Sequence, residues 1–363
     1  MMASDKTRIY EVIDNLRLPM IIGIVYCHTH FFKYIPAEQL SQLTLTNSTI
    51  YVGYWLIGKI FTPTFFFISG YLFFRQHTLD RATYIGKLQR RVYSLLIPYL
   101  IWNALMLLIM WLQEKWLGTT SERMGCLSEY GLKEYLYAFF DCTQSWSFSG
   151  DVGQPANIPL WFLRDLMIMM VASPLFYILT KAKKWVTPCV LFLIYCCPYH
   201  LPHLQNLSVF WFGMGAWVQM NDIDFVSLSR KAVKWCLPIY AIAAVAHELV
   251  RKQGVDLPFD AIVPMMRICE FTLLIAFTSW VLDHTDKRIS PRLSKSSFFI
   301  YLSHIIPTGI LCMLACRAVS SNDILLTVSY LFIPWIVTGL LIAIYLFATR
   351  YLPRTMNVLT GNR

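Results

Sequence analysis

The sequence predicts an all-α, polytopic membrane protein: a bundle of about ten transmembrane helices with both termini in the cytoplasm. Its 363 residues are 56% hydrophobic and only 14% charged. A mean hydropathy of +0.50 is too apolar for a water-soluble chain of this length. Apolar stretches long enough, or nearly long enough, to span a bilayer follow one another along the chain. They lie at about 16–33, 51–74, 92–112, 160–180, 185–201, 204–220, 232–249, 262–282, 297–317 and 324–349.

The basic residues predict the orientation of these spans. With the N-terminus placed in the cytoplasm, the cytoplasmic segments hold 20 of the 31 Lys and Arg residues, and the outer segments hold seven. This asymmetry follows the positive-inside rule, so both termini are predicted to be cytoplasmic. The net charge of +10 is then a consequence of topology, and no nucleic-acid partner is expected. The remaining four basic residues fall inside predicted helices: Arg17, Lys59, Arg164 and Arg267.

The connecting segments predict one transmembrane domain over 1–363, with an extracytoplasmic segment at about 113–157. Within that segment, CLSEYGLKEYLYAFFDC is typical of a short amphipathic helix on the membrane surface, and a Gly/Pro/Ser-rich loop follows it. Cys126 and Cys142 flank the helix and could pair in an oxidising compartment. Sequence alone leaves that disulfide open, because it does not give the geometry.

The first span, DNLRLPMIIGIVYCHTHFF, carries ionisable groups into the membrane. Arg17 and His28 are eleven residues apart, about 1100° of helix, so they share one face at a separation of roughly 16 Å. A guanidinium at the cytoplasmic mouth suits an anion such as phosphate, and a buried imidazole suits proton transfer. The alternative is a snorkelling arginine and a histidine hydrogen-bonded to a neighbouring helix. Function is favoured, because ionisable groups inside membranes are seldom idle.

This opening, DNLRLPMIIGIVYCH, resembles the signature opening of the membrane acyltransferase 3 family. Four later stretches are similar to the same family: TPTFFFISGYLFFR, KLQRRVYSLLIPYLIWN, IPLWFLRDLMIMM and SFFIYLSHIIP. The resemblance implies about ten helices with cytoplasmic termini. It also implies transfer of an acyl group, typically acetyl, from cytoplasmic acyl-CoA to a hydroxyl on a glycan or lipid-linked saccharide. No metal is expected.

The resemblance assigns the catalytic role to His28 and Arg17. His28 is expected to act as general base on the acceptor hydroxyl, or instead to accept the acyl group transiently; the first is favoured. Arg17, Lys87, Arg90 and Arg91 are expected to bind the acyl-CoA phosphates at the inner rim. For Arg90 and Arg91, the alternative is topology together with contact to anionic lipid.

Trp161, Arg164 and Asp165 begin the fourth span on its predicted outer side. An arginine followed by an aspartate does not share a helix face, so both are expected to line an outer vestibule for the acceptor, with Trp161 offering an aromatic face to a sugar. The alternative is an anchor in the interfacial aromatic belt.

Three further residues are secondary candidates. Arg267 and Glu270 are three apart and are predicted to pair on one helix face, in a supporting role. His304, in YLSH, is the next histidine expected in mid-membrane. Lys59 has no evident partner, and the sequence indicates no role for it.

The sequence therefore predicts a membrane-bound O-acyltransferase of a bacterial-type inner membrane that uses acetyl-CoA or a related donor. Its partners are the acyl-CoA, a saccharide acceptor and membrane lipids. His200 and His203 lack further ligands nearby and do not predict a metal site. The alternative function is a transporter or flippase for a glycan precursor. That alternative predicts inverted repeats and paired broken helices, and neither is evident in the sequence.

Overall fold

The computed structural model describes residues 3–121, 123–143, 148, 152–181, 185–253, 262–319 and 322–362, and within these ranges the chain forms helices and no β-strand. The α-helices in chain order are α1 (Ala3–His28), α2 (Ala37–Gln42), α3 (Thr44–Tyr51), α4 (Phe61–Phe73), α5 (Arg81–Arg91), α6 (Ile97–Leu117), α7 (Leu132–Ala138), α8 (Trp161–Val171), α9 (Ser173–Lys181), α10 (Val186–Cys196), α11 (Asn206–Met220), α12 (Phe225–Gln253), α13 (Ile262–His284), α14 (Pro291–Ser303), α15 (Ile305–Val319), α16 (Asp323–Tyr351) and α17 (Pro353–Thr360).

The all-α prediction is confirmed, and so is the presence of helices suited to a membrane. Among the described residues, five helical stretches are long and apolar enough to cross one: Thr44–Phe73, Arg81–Leu117, Phe225–Val250, Ile262–His284 and Asp323–Tyr351. Two bent pairs, α8 with α9 and α14 with α15, raise the number to seven if each pair is a single span. The protein is therefore an integral membrane protein with five to seven candidate spans, while ten crossings and the orientation of the termini stay predictions.

Several helices begin at polar residues that the sequence supplies as caps. The side chains of Asp80, Ser290 and Asn322 accept hydrogen bonds from the backbone N–H groups three residues on, at the starts of α5, α14 and α16. Such caps satisfy donors that a helix leaves unpaired in its first turn. Pro291 follows its cap at the first helical position, where its missing N–H is no loss.

The described chain divides into two compact units. Unit A comprises Met1–Thr64, Asp224–Asp256 and Ile262–Pro353, and unit B comprises Phe65–Ile223, Leu257–Ala261 and Arg354–Arg363. In unit A, α1 packs against α13, α14, α15 and α16. In unit B, α11 packs against α8, α9 and α10.

The polar first half of α1 is held in unit A by an ionic network. Arg8 pairs with Glu11 at 2.7 Å and with Asp283 at 2.5 Å. Arg230 pairs with the same aspartate at 2.6 Å, and Arg288 pairs with Glu11. The network joins α1, α12, the end of α13 and the turn after it. Positive-inside counting treats these arginines as topology alone; the structure shows that they also fix helix ends.

A reciprocal glycine contact sets the approach of two helices in unit B. A Cβ added to Gly70 on α4 would lie 2.1 Å from the carbonyl oxygen of Phe212, and one added to Gly215 on α11 would lie 2.0 Å from that of Phe67. Small residues that let helix backbones touch are typical of packing within membranes. The two helices therefore have no room for any side chain at these positions.

A small apolar core of unit B packs the segment predicted to be extracytoplasmic against α6. This core contains Leu107, Met124, Leu127, Ala138, Cys142 and Ala156. The predicted amphipathic helix is present as α7, preceded by a 3₁₀ turn at Leu127–Glu129. Cys126 and Cys142 are free thiols, and Arg123 donates a hydrogen bond to Cys142 Sγ at 3.0 Å. Residues 144–147 and 149–151 of the predicted loop lie outside the described residues.

Replacing Gly215 with valine is expected to abolish folding, because the valine side chain would meet a backbone carbonyl that has no freedom to retreat. Gly339→Ala is the matched control, since a Cβ there meets nothing within 4 Å and alanine favours a helix by about 1 kcal/mol. Size-exclusion chromatography in detergent measures both. A monodisperse Gly215→Val protein with wild-type thermal stability would contradict the close helix contact.

Candidate functional site

Two histidines of unit A lie side by side. His28 is the last residue of α1 and is partly accessible, whereas His304 is 0% exposed. Their ring centres are 5.2 Å apart, with the ring planes at 50°. The first catalytic candidate and the secondary candidate are thus neighbours, although 276 positions separate them in the sequence.

His304 occupies the corner between α14 and α15, which meet at a 69° bend. Its Nδ1 lies 3.1 Å from the carbonyl oxygen of Ile300 and 2.8 Å from that of Tyr301. Because a carbonyl oxygen only accepts, Nδ1 must carry the proton. In a neutral ring Nε2 then holds a lone pair, and this buried atom has no hydrogen-bond partner among the described residues. The helix corner thus presents a basic nitrogen of fixed tautomer beside His28.

Lys59 lies close to this histidine pair. It belongs to a 3₁₀ turn, Gly58–Ile60, that directly follows a π-helical stretch, Val52–Ile57. A Cβ on Gly58 would lie 2.3 Å from Cys27 Sγ, so the irregular stretch lies directly against the end of α1. The turn that carries Lys59 makes further contacts with α1. Irregular turns within helices are frequent at functional sites.

Arg267 and Glu270 pair as their spacing predicts. The guanidinium Nη1 of Arg267 lies 2.7 and 2.6 Å from the two carboxylate oxygens of Glu270. Arg267 Nη2 donates to the carbonyl oxygen of Trp55 at 2.9 Å, and Tyr240 donates to that of Leu56 at 2.9 Å. These bonds satisfy carbonyls of the π-helical stretch. The pair therefore holds the backbone that carries Lys59.

Arg17 lies in the middle of α1, eleven residues before His28. Its side chain is 41% exposed and pairs with Asp14 at 3.1 Å. An exposed pair of this kind contributes about 1 kcal/mol or less, so the guanidinium remains available to an anion. Its catalytic and donor-binding roles stay predictions.

The other three donor candidates belong to unit B. Lys87 donates to the carbonyl oxygen of Phe73 at 2.6 Å and lies 4.9 Å from the centre of its ring. Arg90 is exposed and donates to Gly86 at 3.1 Å, and Arg91 is the partly buried last residue of α5. Lys87 thus helps to close the end of α4, and binding of acyl-CoA by these residues stays a prediction.

Arg164 and Asp165, which were expected to line an outer vestibule, are buried and bond to each other. The Nε and Nη2 atoms of Arg164 lie 3.2 and 3.0 Å from Asp165 Oδ1. The arginine side chain is long enough to fold back on its neighbour. At 2% and 0% exposure, neither residue faces an open vestibule in this structure.

These two residues tie α8 to two loop carbonyls and to helix α11 of unit B. Arg164 donates to the carbonyl oxygens of Phe140 and Gly153 at 2.9 and 2.6 Å. Asp165 accepts from Ser208 at 2.8 Å. Trp161, by contrast, remains partly accessible beside Phe66, with ring centres 6.1 Å apart. Of the three acceptor candidates, Trp161 alone presents free surface.

Unit B also contains a contact between His203 and Asp141 that the sequence does not predict. His203 Nδ1 lies 3.2 Å from Asp141 Oδ2, and its Nε2 lies 3.2 Å from the Tyr137 hydroxyl. His203 also adopts a positive φ of 61°, which is uncommon for a residue with a side chain. No short-range pattern links residues 141 and 203, so this contact is not predictable from the sequence. Burial lowers the pKa of His203, and the nearby Asp141 opposes this shift.

A cavity of about 670 Å³ opens in unit A beside α1. Its lining is largely apolar and includes Gly23, Tyr26, Gly53, Tyr330 and Trp335. The Tyr330 hydroxyl is buried without a hydrogen-bond partner among the described residues. The volume lies in the range of small-molecule sites, and Tyr26 is only two positions from His28.

Comparison with known proteins extends over nearly the whole chain. The model of the acyltransferase 3 family, described as an acyltransferase domain, matches residues 10–352. The chain is also 26% identical over 359 residues to the Succinoglycan biosynthesis protein ExoH of Rhizobium meliloti (strain 1021), covering 97% of this chain and 92% of that protein. No solved structure gives a significant match. The matched range includes both His28 and His304.

The stability of unit B is expected to fall as the pH drops through the ordinary histidine range. Because the folded pKa of His203 is lowered, the unfolded chain binds this proton first, so stability is lost below about pH 6.5. Thermal midpoints at pH 7.5 and 5.5 measure the loss. His203→Asn, which tolerates the positive φ and does not titrate, is expected to shrink the difference. If the His203→Asn variant loses as much thermal stability between pH 7.5 and 5.5 as the wild type, protonation of His203 is not the cause. His200→Asn is the control.

Proposed function

Because the chain belongs to the acyltransferase 3 family, as its sequence resemblance predicts, we propose that it transfers an acyl group from acyl-CoA to a saccharide hydroxyl at the membrane. The observation that carries the proposal is the His28–His304 pair inside an apolar helical unit. A partly accessible imidazole next to a buried one of fixed tautomer suits proton transfer. We take acetyl as the group transferred and cytoplasmic acetyl-CoA as the donor.

His28 acts as general base in this proposal. It removes the proton of the acceptor hydroxyl while the oxygen attacks the acyl carbon, and it returns the proton to the leaving thiolate. The alternative, a transient acyl-histidine, uses the same residue as nucleophile. Arg17, on the same helix face by the eleven-residue spacing, binds a phosphate of the donor. Lys87, Arg90 and Arg91, in unit B, are proposed to bind donor phosphates as the resemblance implies.

The proposed topology gives donor and acceptor separate entrances. We propose one domain over 1–363 with ten spans in a bacterial-type inner membrane, both termini cytoplasmic and 113–157 outside. The 20-to-7 division of basic residues supports this orientation. Lys183, one of the counted cytoplasmic residues, lies outside the described residues.

The acceptor in this proposal is a polysaccharide or its lipid-linked precursor. The name of the similar Rhizobium protein, which refers to succinoglycan biosynthesis, supports a saccharide. Trp161 offers it an aromatic face. Arg164 and Asp165 contribute by holding the surrounding loops, and they reach the acceptor only if that packing opens.

A transporter or flippase is the second candidate, and the two bent helix pairs, at 59° and 69°, favour it, since broken helices occur in transporters. A purified protein in detergent separates the two functions. An acyltransferase modifies a soluble acceptor analogue without a sealed membrane, whereas a transporter has no activity there.

His28→Ala is expected to lower transfer by about 10²–10⁴-fold, the usual contribution of a general base, while the protein still folds. The control is His30→Ala, because His30 stacks on Phe32 at 3.8 Å and has no assigned role. Transfer of radiolabelled acetyl from acetyl-CoA measures both. Activity of His28→Ala within a few-fold of wild type would remove His28 from the chemistry.

Arg17→Ala and Arg91→Ala are each expected to weaken acetyl-CoA binding. A lost charge-assisted contact to phosphate costs about 1.5–3 kcal/mol, roughly tenfold to a hundredfold in affinity. Calorimetric titration of the purified variants measures this effect. Lys133→Ala, an exposed charge on the predicted outer side, is the control. Unchanged affinity in both arginine variants would mean that these residues serve topology alone.

A further inference from the structure

Lys59 places a positive charge in the middle of a candidate membrane span, where a purely structural role is uncommon. It lies at the middle of the candidate span Thr44–Phe73, with about 20 Å of helix on either side. A lysine side chain is too short to carry its ammonium group over that distance to an interface. Ionisable groups held in mid-membrane usually mark a functional site.

Two other lysines that lie over aromatic rings show the contrast. Lys115 lies 4.8 Å from the Trp111 ring centre, and Lys181 lies 4.3 Å from that of Tyr177. Both occupy the last turn of their helices, where an ammonium group can reach water. Lys59, by contrast, lies in the middle of its candidate span, and its side chain is only partly accessible.

The Lys59 charge is also uncompensated. Its Nζ lies 4.4 and 5.0 Å from the ring centres of Tyr54 and Trp55. In the described part of the chain it has no ion-pair partner within 4 Å. The buried carboxylate of Glu270 is paired with Arg267. Aromatic faces hold a cation without cancelling its charge, so the ammonium group remains available to an anion.

Lys59 also adjoins the catalytic candidate. Gly58 lies directly against Cys27, the residue before His28, and the turn that carries Lys59 packs on α1. We propose that Lys59 binds the carbonyl oxygen of the acyl group and stabilises the negative charge that develops on it. This inference rests on the proposed function, and it adds the group that polarises the carbonyl to the base already assigned.

The acyl group passes from the CoA sulfur to the acceptor oxygen on these residues. The acceptor hydroxyl gives its proton to His28 as its oxygen bonds to the acyl carbon, and the carbonyl electron pair moves to the oxygen beside Lys59. When the carbonyl reforms, the carbon–sulfur bond breaks with its electron pair. The CoA thiolate then takes the proton from His28. An ammonium group fixed beforehand in an apolar site stabilises such charge strongly, because little reorganisation accompanies the reaction.

The test compares Lys59→Met, Lys59→Arg and Lys59→Gln with Lys33→Met. Lys33 is five residues after His28 and its side chain is exposed, so it controls for a general loss of positive charge. Steady-state transfer from acetyl-CoA gives kcat and KM, and thermal unfolding in detergent reports folding. We expect Lys59→Met to lower kcat by about 10²–10³-fold with KM nearly unchanged. Lys59→Arg should recover most of kcat, and Lys33→Met should stay within a few-fold of wild type.

Other outcomes overturn the proposal. A higher KM with unchanged kcat would mean that Lys59 binds an anion already present on a substrate, such as a carboxylate or phosphate. Wild-type kinetics in the methionine variant would remove Lys59 from the site. If that variant fails to fold, Lys59→Gln and Lys59→Arg decide: equal kcat in the two would show that the charge has no role. An active His28→Ala protein would instead contradict the proposed function itself, whatever the Lys59 variants show.

Discussion

The candidate site of unit A depends on one buried ion pair, between Arg267 and Glu270. At 4% and 7% exposure, each charge is acceptable only because the other neutralises it; removing one partner of such a pair typically costs about 3–5 kcal/mol. The arginine also binds the carbonyl oxygen of Trp55, which a regular helix would satisfy itself. The pair thereby permits the irregular stretch that brings Lys59 against the end of α1. The main contribution of this ion pair is therefore to position the backbone that carries Lys59.

Unit B uses the same device for another purpose. The buried pair of Arg164 and Asp165 binds carbonyl oxygens of Phe140 and Gly153 and the hydroxyl of Ser208. The arginine thus satisfies two loop carbonyls, and the aspartate binds a side chain of α11. In both units, a charged pair inside an apolar bundle fixes backbone that secondary structure leaves unsatisfied, as buried polar groups require.

The sequence predicts what depends on local periodicity. Long apolar windows became helices, and Arg267 pairs with Glu270 because three residues advance the chain by nearly one turn. The change from π-helix to 3₁₀ turn before Phe61 was missed, because the window 51–74 is uniformly apolar whichever way it coils. Arg164 was misjudged, because helix-face arguments place Cβ atoms and ignore how far a guanidinium can fold back. The tautomer of His304 depends on a 69° corner that hydropathy does not show.

The same limits apply to the site as a whole. The eleven-residue spacing on α1 directed attention to His28, but nothing local ties it to His304 or to Lys59, since those contacts exist only after distant helices pack. The Asp141–His203 pair likewise joins two loops. The resemblance to the family predicts acyl transfer, and only the packing of distant helices shows which residues surround His28.

The most direct measurement is a density map of the purified protein with a non-hydrolysable acetyl-CoA analogue bound. We expect the acyl carbonyl to lie between His28 and Lys59 in unit A, with its oxygen toward Nζ of Lys59 and with the His304 ring beyond His28. An analogue whose acyl end lies away from His28 would contradict it.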